Sequence, residues 1–232
     1  MTKLWQWLAQ QQRQMRLLAT LVMATVLCLS LLFLRRRLFG RYGNSWLWWN
    51  LFLAWLPAWA AFAAYNLRGW THRLRALSMT ACGLFWLAFL PNAAYLITDV
   101  IHFSPVAGVP YWFDLILFIT FAWTGAFLGI VSLLLMQELV RRATNHFVSW
   151  VFALGVLALN SFGVYLGRFQ RWNTWDVVSN PWSLFADIAA RLLNPGAQLR
   201  TFAFTALFGA MFATFYLMIV AVAEWRRALD EA

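Results

Sequence analysis

Six long apolar runs, separated by short stretches where arginine, proline, glycine and asparagine collect, set the rhythm of the chain: about 17–34, 46–65, 76–97, 112–136, 147–167 and 202–223. Each is close to the roughly 20 residues needed to cross a hydrocarbon layer about 30 Å thick. In lipid the backbone must satisfy its own amides and carbonyls, and a run of this length does so as a helix. The pattern predicts an all-α fold, a polytopic transmembrane helical bundle of about six segments. Residues 1–232 form a single integral membrane domain, with 17–34 as an N-terminal anchor. That first run exceeds the roughly 7–15 residues of a signal-peptide core, ends at Arg35-Arg36-Arg37 and lacks a small-x-small cleavage site, so it reads as retained.

Two details modulate the pattern. Segment two carries Pro57 among Trp46, Trp48, Trp49, Trp55 and Trp59, which leaves a kinked or re-entrant path open beside a full crossing. In the 168–201 loop, Pro181 and Pro195 bracket Trp182 to Leu193, predicting a short interfacial helix that either lids a site or covers the end of the bundle. Gly125-x-x-x-Gly129 and Gly163-x-x-x-Gly167 are small-x-x-x-small patterns that let backbones approach closely. They predict packing within the chain that draws segments four and five together, and with them Asp114 and Arg168.

Composition narrows the class. The chain is 63% hydrophobic and 11% charged, against roughly 25% charged in soluble domains, so no separate soluble catalytic domain fits. A net charge of +10 does not mark a nucleic-acid partner, because the arginines lie in short loops beside apolar segments and not on one basic face. Topology and anionic lipid account for them better. With segment two a full crossing and the N-terminus cytoplasmic, Lys3, Arg13, Arg16, Arg68, Arg73, Arg75, Arg141, Arg142, Arg226 and Arg227 lie inside, ten against eight. With segment two re-entrant and the N-terminus outside, Arg35, Arg36, Arg37 and Arg41 become cytoplasmic and the count is eleven against seven. Both readings place the 98–111 loop, devoid of lysine and arginine, and the 168–201 loop on the extracytoplasmic side of a bacterial cytoplasmic membrane. Cys28 and Cys82 sit inside apolar runs as small core residues.

The polar groups that remain are costly near hydrocarbon unless paired or wetted, so they mark the candidate site. Asp99 and His102, spaced i, i+3, share one face of a helical turn and, with Asp114, are the candidates for acid–base work. Joined by Asp176 they would suit a hard divalent ion; whether a metal is bound stays open. Arg168 and Arg171, also three apart, can direct two planar forks at one phosphate or carboxylate. Asn92, Tyr95, Asn173 and Asp176 complete the candidate ligand-binding set. The competing reading makes Asp99 and Asp114 structural ion-pair partners of Arg168 and Arg171. No Gly-rich phosphate loop, His-Glu-x-x-His helix, nucleophile elbow or paired-cysteine motif occurs, which argues against nucleotide hydrolysis by this chain alone and leaves the cofactor unknown.

Several of these stretches occur in order: Asn50-Leu-Phe-Leu-Ala-Trp-Leu-Pro57, Phe89-Leu-Pro-Asn-Ala-Ala-Tyr-Leu-Ile-Thr-Asp99 with His102, Trp112-Phe113-Asp114, Phe121-Ala-Trp-Thr-Gly125, and Tyr165-Leu-Gly-Arg-Phe169 with Arg171-Trp-Asn-Thr-Trp-Asp176. In them the chain resembles the bacterial polytopic membrane-protein family called domain of unknown function 1361, over roughly residues 46–223. Where that family commonly reads Pro-Asn-Ala-Pro-Tyr, this chain has Ala94 in place of the second proline. The resemblance implies the membrane fold and highlights the same polar motifs, but carries no activity. The functional expectation is binding of an anionic lipid or lipid-linked substrate at the extracytoplasmic face, with processing as an extension. The alternative is a small transporter, or an accessory or structural subunit with a membrane-protein partner.

Overall fold

Where the apolar runs predict helices, helices form. The computed structural model describes residues 2–40, 43–67 and 72–231. Arg41 and Arg68 lie outside the described residues, as do the side chains of Lys3, Arg13, Arg73, Arg75 and Arg227. The helices are α1 (Thr2–Phe39), α2 (Trp46–Asn66), α3 (His72–Thr98), α4 (Tyr111–Ala143), α5 (His146–Phe169), a single turn α6 (Asp176–Ser179), α7 (Pro181–Leu193) and α8 (Leu199–Glu231). No strand occurs among the described residues. Six of the helices are long and apolar enough to cross a membrane, and the chain is an all-α, multi-pass membrane protein.

Contacts between distant residues fix how the helices run. Arg35 near the end of α1 meets Asp114 at the start of α4, and Cys28 lies 3.3 Å from Thr124, so α1 and α4 are antiparallel. In α2, Asn50 meets Asp99 just beyond α3, while Tyr65 accepts a hydrogen bond from Arg142 at the far end of α4. α2 therefore traverses the whole bundle and is not re-entrant. Pro57 is accommodated inside an unbroken helix, and Trp55 is tied to α1 by an indole hydrogen bond of 3.0 Å to Thr25. The bundle thus has an Asp99 end and an Arg142 end, with the start of α1 at the latter.

Burial sorts the helices by depth. Within its most apolar stretch α4 is 61% buried, against 17% for α1 and α8, which present leucines, valines and phenylalanines outward. Such a surface is a match for lipid tails and would be a liability in water. α2, at 56%, comes next after α4, and α3 packs against α2, α4 and α5. The α3–α4 contact explains Gly125: a Cβ there would stand 2.5 Å from the Ala93 carbonyl oxygen and 2.7 Å from Leu96. Gly163 of α5 performs the same service on the other flank of α3, where a Cβ would meet Pro91 at 2.6 Å. Both glycine motifs act within the chain, but each closes on α3; the prediction that they draw segments four and five directly together is corrected to that extent.

Two alanine substitutions separate packing from propensity. Gly125→Ala forces overpacking against a backbone carbonyl that cannot swing away and is expected to cost roughly 1–3 kcal/mol. Gly155→Ala, where nothing lies within 4 Å of the new Cβ, should be neutral or better. Thermal unfolding midpoints of the detergent-solubilised protein check the pair; equal midpoints would contradict the close α3–α4 approach.

Candidate functional site

The Asp99 end collects the polar residues. α3 finishes at Thr98 and tightens into a 3₁₀ turn over Asp99–His102, closed by the Phe103 amide on the Val100 carbonyl at 3.0 Å. That turn carries Asp99 inward, where it is fully buried, and leaves His102 at the surface. Arg168, in the last turn of α5 where a cation complements the helix dipole, reaches both. Its Nη2 donates to Asp99, its Nε donates to Thr98 at 2.9 Å, and its Nη1 lies 2.8 Å from His102 Nε2. The guanidinium carbon lies over the Tyr95 ring, 3.7 Å from its centre. Because a guanidinium only donates, His102 Nε2 must accept, which fixes a neutral imidazole protonated on Nδ1. Asn50 of α2 donates to the second Asp99 oxygen at 2.9 Å, and Trp46 packs edge-on against His102. Asp99 and His102 do share one turn, as their spacing predicts, with Arg168 between them.

Asp114 belongs to a different pair. Arg35 Nε and Nη2 donate to its two carboxylate oxygens at 2.6 and 2.8 Å, a planar two-point contact with side-chain exposures of 1% and 5%. The reading of Asp99 and Asp114 as ion-pair partners of Arg168 and Arg171 therefore holds for Asp99 with Arg168 alone: Asp114 pairs with Arg35, and Arg171 is exposed with no partner among the described residues. In the sequence the arginine triplet that ends α1 bears only on topology. A carboxylate interrupting Trp112-Phe113 and Leu115-Ile116 did signal a hidden cation, but not which one.

Arg171 has a backbone role. It sits at φ 62°, and the Trp172 amide reaches back to the Leu166 carbonyl at 3.2 Å, the geometry of a helix C-cap that usually takes glycine. A non-glycine residue held there costs on the order of 1–3 kcal/mol, and such positions gather at functional sites. The reversal folds Trp172-Asn173-Thr174-Trp175 back over α5. Asp176 secures the loop, accepting from the Asn173 amide at 2.7 Å and from Ser179 at 3.2 Å. It does not join Asp99, and Asn173 is exposed.

Beneath this loop is a cavity of about 140 Å³. Trp49, Asn50 and Leu53 of α2 form one wall and Gly163 and Gly167 of α5 the opposite one, with Pro91, Asn92 and Tyr95 of α3 as the floor. The loop residues 172–175 close the top. α3 is not broken at Pro91, but the Asn92 amide does line the cavity, donating to the Phe89 carbonyl at 3.1 Å and to Thr174 at 2.9 Å. Gly167 keeps the space open: a Cβ there would stand 3.4 Å from Tyr95 and 3.6 Å from the Trp172 carbonyl. On the same face of α5, seven residues earlier, Asn160 is 1% exposed and neither amide atom finds a partner among the described residues.

The predicted interfacial helix is α7, and it fastens the loop. Trp172 donates its indole N–H to Asp187 at 2.9 Å; Arg191 donates to both Asp187 oxygens and reaches Gln198 just before α8 and Thr201 in its first turn. Burial raises the Asp187 carboxyl, but the hydrogen bonds from Arg191 and Trp172 together with the Arg191 charge more than offset that and hold it below the ordinary carboxylate range. Asn50, Thr174, Trp172 and Asp187 are the contributors that reading the sequence for charge did not single out. A lone amide in the apolar run of segment two was the signal for Asn50.

Among the described residues no three of His, Cys, Asp and Glu come together, so the hard-metal alternative has no assembled ligand set. What the arrangement offers is two neutralised ion pairs and an uncharged cavity beside one of them.

The buried Arg35–Asp114 pair makes a separable prediction. Asp114→Leu removes the carboxylate that balances the buried Arg35 charge and is expected to cost roughly 3–5 kcal/mol, whereas Arg35→Met with Asp114→Leu removes both charges and should recover most of the loss. Folded yield and unfolding midpoints of the two variants decide it. A double variant no better than the single one would show that the pair does not account for Asp114.

No curated protein and no solved structure matches the chain. Its match lies with a sequence family, over residues 49–215, a span that starts in the first turn of α2 and holds α3 to α5, the 172–175 loop, α7 and the first half of α8, and hence the whole cavity and the Asp99–Arg168 pair. By that match the chain belongs to the family described as protein of unknown function (DUF1361).

Proposed function

We propose that the protein binds the polar headgroup of a membrane lipid or lipid-linked molecule in the cavity at the Asp99 end, and that this end faces the extracytoplasmic side of a bacterial cytoplasmic membrane. The observation that carries the reading is the position of the cavity. It lies between α2 and α5 over α3, lined by no residue of α1, α4 or α8, and α2 and α5 barely touch, so a chain reaching it from between those two helices would cross no other helix. Trp49 and Trp175, both about half exposed, stand at its rim, where indoles suit the headgroup layer.

The geometry redistributes the roles expected from the sequence. Arg168 is 7% exposed at its side chain and matched by Asp99, so it braces the wall through Tyr95 and does not receive an anion. Arg171, exposed and adjacent to Trp172, is the cation available to a phosphate at the rim. Binding is favoured over turnover because Asp99 and Asp114 are each engaged by an arginine and neither lines the cavity. A transport path has little support, since the middle of the bundle is filled by Trp86, Leu90, Ile130, Leu157 and Phe212.

Two experiments test the reading. Native mass spectrometry of the purified protein is expected to find a retained lipid that is lost in Gly167→Leu, whose side chain fills the cavity. Undiminished retention in that variant would remove the cavity as the site. For orientation, Asn173→Cys should react with an impermeant thiol reagent in intact cells, and Arg142→Cys only after permeabilisation; the reverse pattern would invert the proposed sidedness.

A further inference from the structure

The hydrogen-bonding groups of the cavity can be counted by what each has already spent, and the remainder describes the ligand. Asn92 uses both amide N–H groups, one on the Phe89 carbonyl and one on Thr174, so the atom left to it is the acceptor Oδ1. Thr174 accepts from Asn92 and keeps its own proton to donate. Asn50 commits one N–H to Asp99 and retains another together with its carbonyl oxygen. The Tyr95 hydroxyl, which can give or take a hydrogen bond, has no partner among the described residues. Donors and acceptors are thus interleaved, and none of the residues lining the cavity carries a charge.

A phosphate or carboxylate does not fit that inventory. It brings acceptors only, calls for clustered donors and positive charge, and would be repelled by Asn92 Oδ1. A simple alkyl chain fits no better, since it would leave the amides and hydroxyls dry and unpaired at a cost of roughly 1–3 kcal/mol each. A group in which every substituent both donates and accepts satisfies the set. The walls add a second constraint: Trp49, one face of which stacks on Phe52, and Trp175 line the cavity, and an indole is flat and apolar with a polar edge. At about 140 Å³ the space falls below the roughly 300–1,000 Å³ of drug-sized sites and suits one small ring.

We infer that the group held in the cavity is an uncharged sugar ring, its hydroxyls met by Asn50, Asn92, Tyr95 and Thr174 and its C–H faces by Trp49 and Trp175. The inference rests on the headgroup reading above and specifies its chemistry. The sugar can arrive on a lipid anchor or free, and only the anchored form agrees with both. An anchor leaves through the α2–α5 opening, and a linking phosphate at the rim meets Arg171.

The test uses the full-length protein in phosphatidylcholine nanodiscs, avoiding glycoside detergents. Binding of octyl β-D-glucopyranoside, its galactose and mannose counterparts, free glucose, galactose and mannose, and dihexanoyl phosphatidylglycerol is measured below micelle-forming concentrations. At least one octyl glycoside is expected to bind saturably, one per chain, far more tightly than the free sugar or the anionic lipid. Thr174→Val and Asn92→Ala should each weaken it by up to about tenfold, the scale of one neutral hydrogen bond. Trp49→Ala should also weaken it, and Trp49→Phe should largely restore binding, which separates ring contact from folding. Equal binding of free sugar and glycoside would keep the sugar and remove the lipid anchor. Phosphatidylglycerol binding that Thr174→Val and Trp49→Ala weaken, with no glycoside bound, would keep the headgroup reading and overturn the sugar. Binding of none of these probes would overturn both.

Discussion

Two buried arginine–aspartate pairs at one end of the bundle organise what surrounds them. Arg35 with Asp114 joins α1 to α4, and Arg168 with Asp99 joins α5 to the turn after α3, with Asn50 adding α2. A charge near hydrocarbon is tolerated only when it is matched, and the match must come from another helix because the neighbours along the same helix are apolar. Such pairs contribute little net stability compared with a well-packed apolar contact, since desolvation consumes most of the attraction. Their effect is selective: any arrangement of helices that separates the partners leaves an isolated ion in the bundle, so the pairs exclude wrong registers.

The pairs also decide what α3 can be. With Asp99 held from above by Arg168 and from the side by Asn50, α3 cannot slide relative to α2 or α5, and close approach along its length becomes possible. Gly125 and Gly163 exploit that from two sides, bringing α4 against Ala93 and Leu96 and α5 against Pro91. The proline, which would weaken an isolated helix, is supported here by a partner without a side chain. The Arg142 end is held differently. Glu138 is shared by Arg141 and Arg142 along one exposed helical surface, and α4 continues there beyond the apolar run.

The outline of the fold was legible because lipid imposes it: a run long enough to span must be helical, and 46–65 became Trp46–Asn66 with little change. The bracketing prolines placed α7 equally well, since Pro181 occupies its first turn, where the missing amide proton costs nothing. What the sequence did not disclose was who pairs with whom. Asp114 declared the need for a cation, but Arg35 lies 79 positions away and was one of several arginines available. Asn50 was likewise visible as an expensive amide without an address. The i, i+3 spacing of Asp99 and His102 was readable because both ends of that relation lie in one turn, whereas the cavity depends on the left-handed residue Arg171, whose conformation no glycine announces.

The same pairing that makes the bundle possible also explains why a charged end has a neutral cavity. Arg168 stands over the ring of Tyr95, a residue of the cavity floor, and does not itself line the cavity, while Asp99 balances its charge. Had Arg168 turned into the space, the site would have been an anion receptor, and Asp99 would have been left buried without its counter-ion. The cost of that second event is what keeps the guanidinium in place. On the headgroup reading proposed above, recognition would fall to the groups that carry no charge: amides partly spent on the fold, a hydroxyl, a phenol and indole rings. Affinity built this way would depend on geometry more than on field strength.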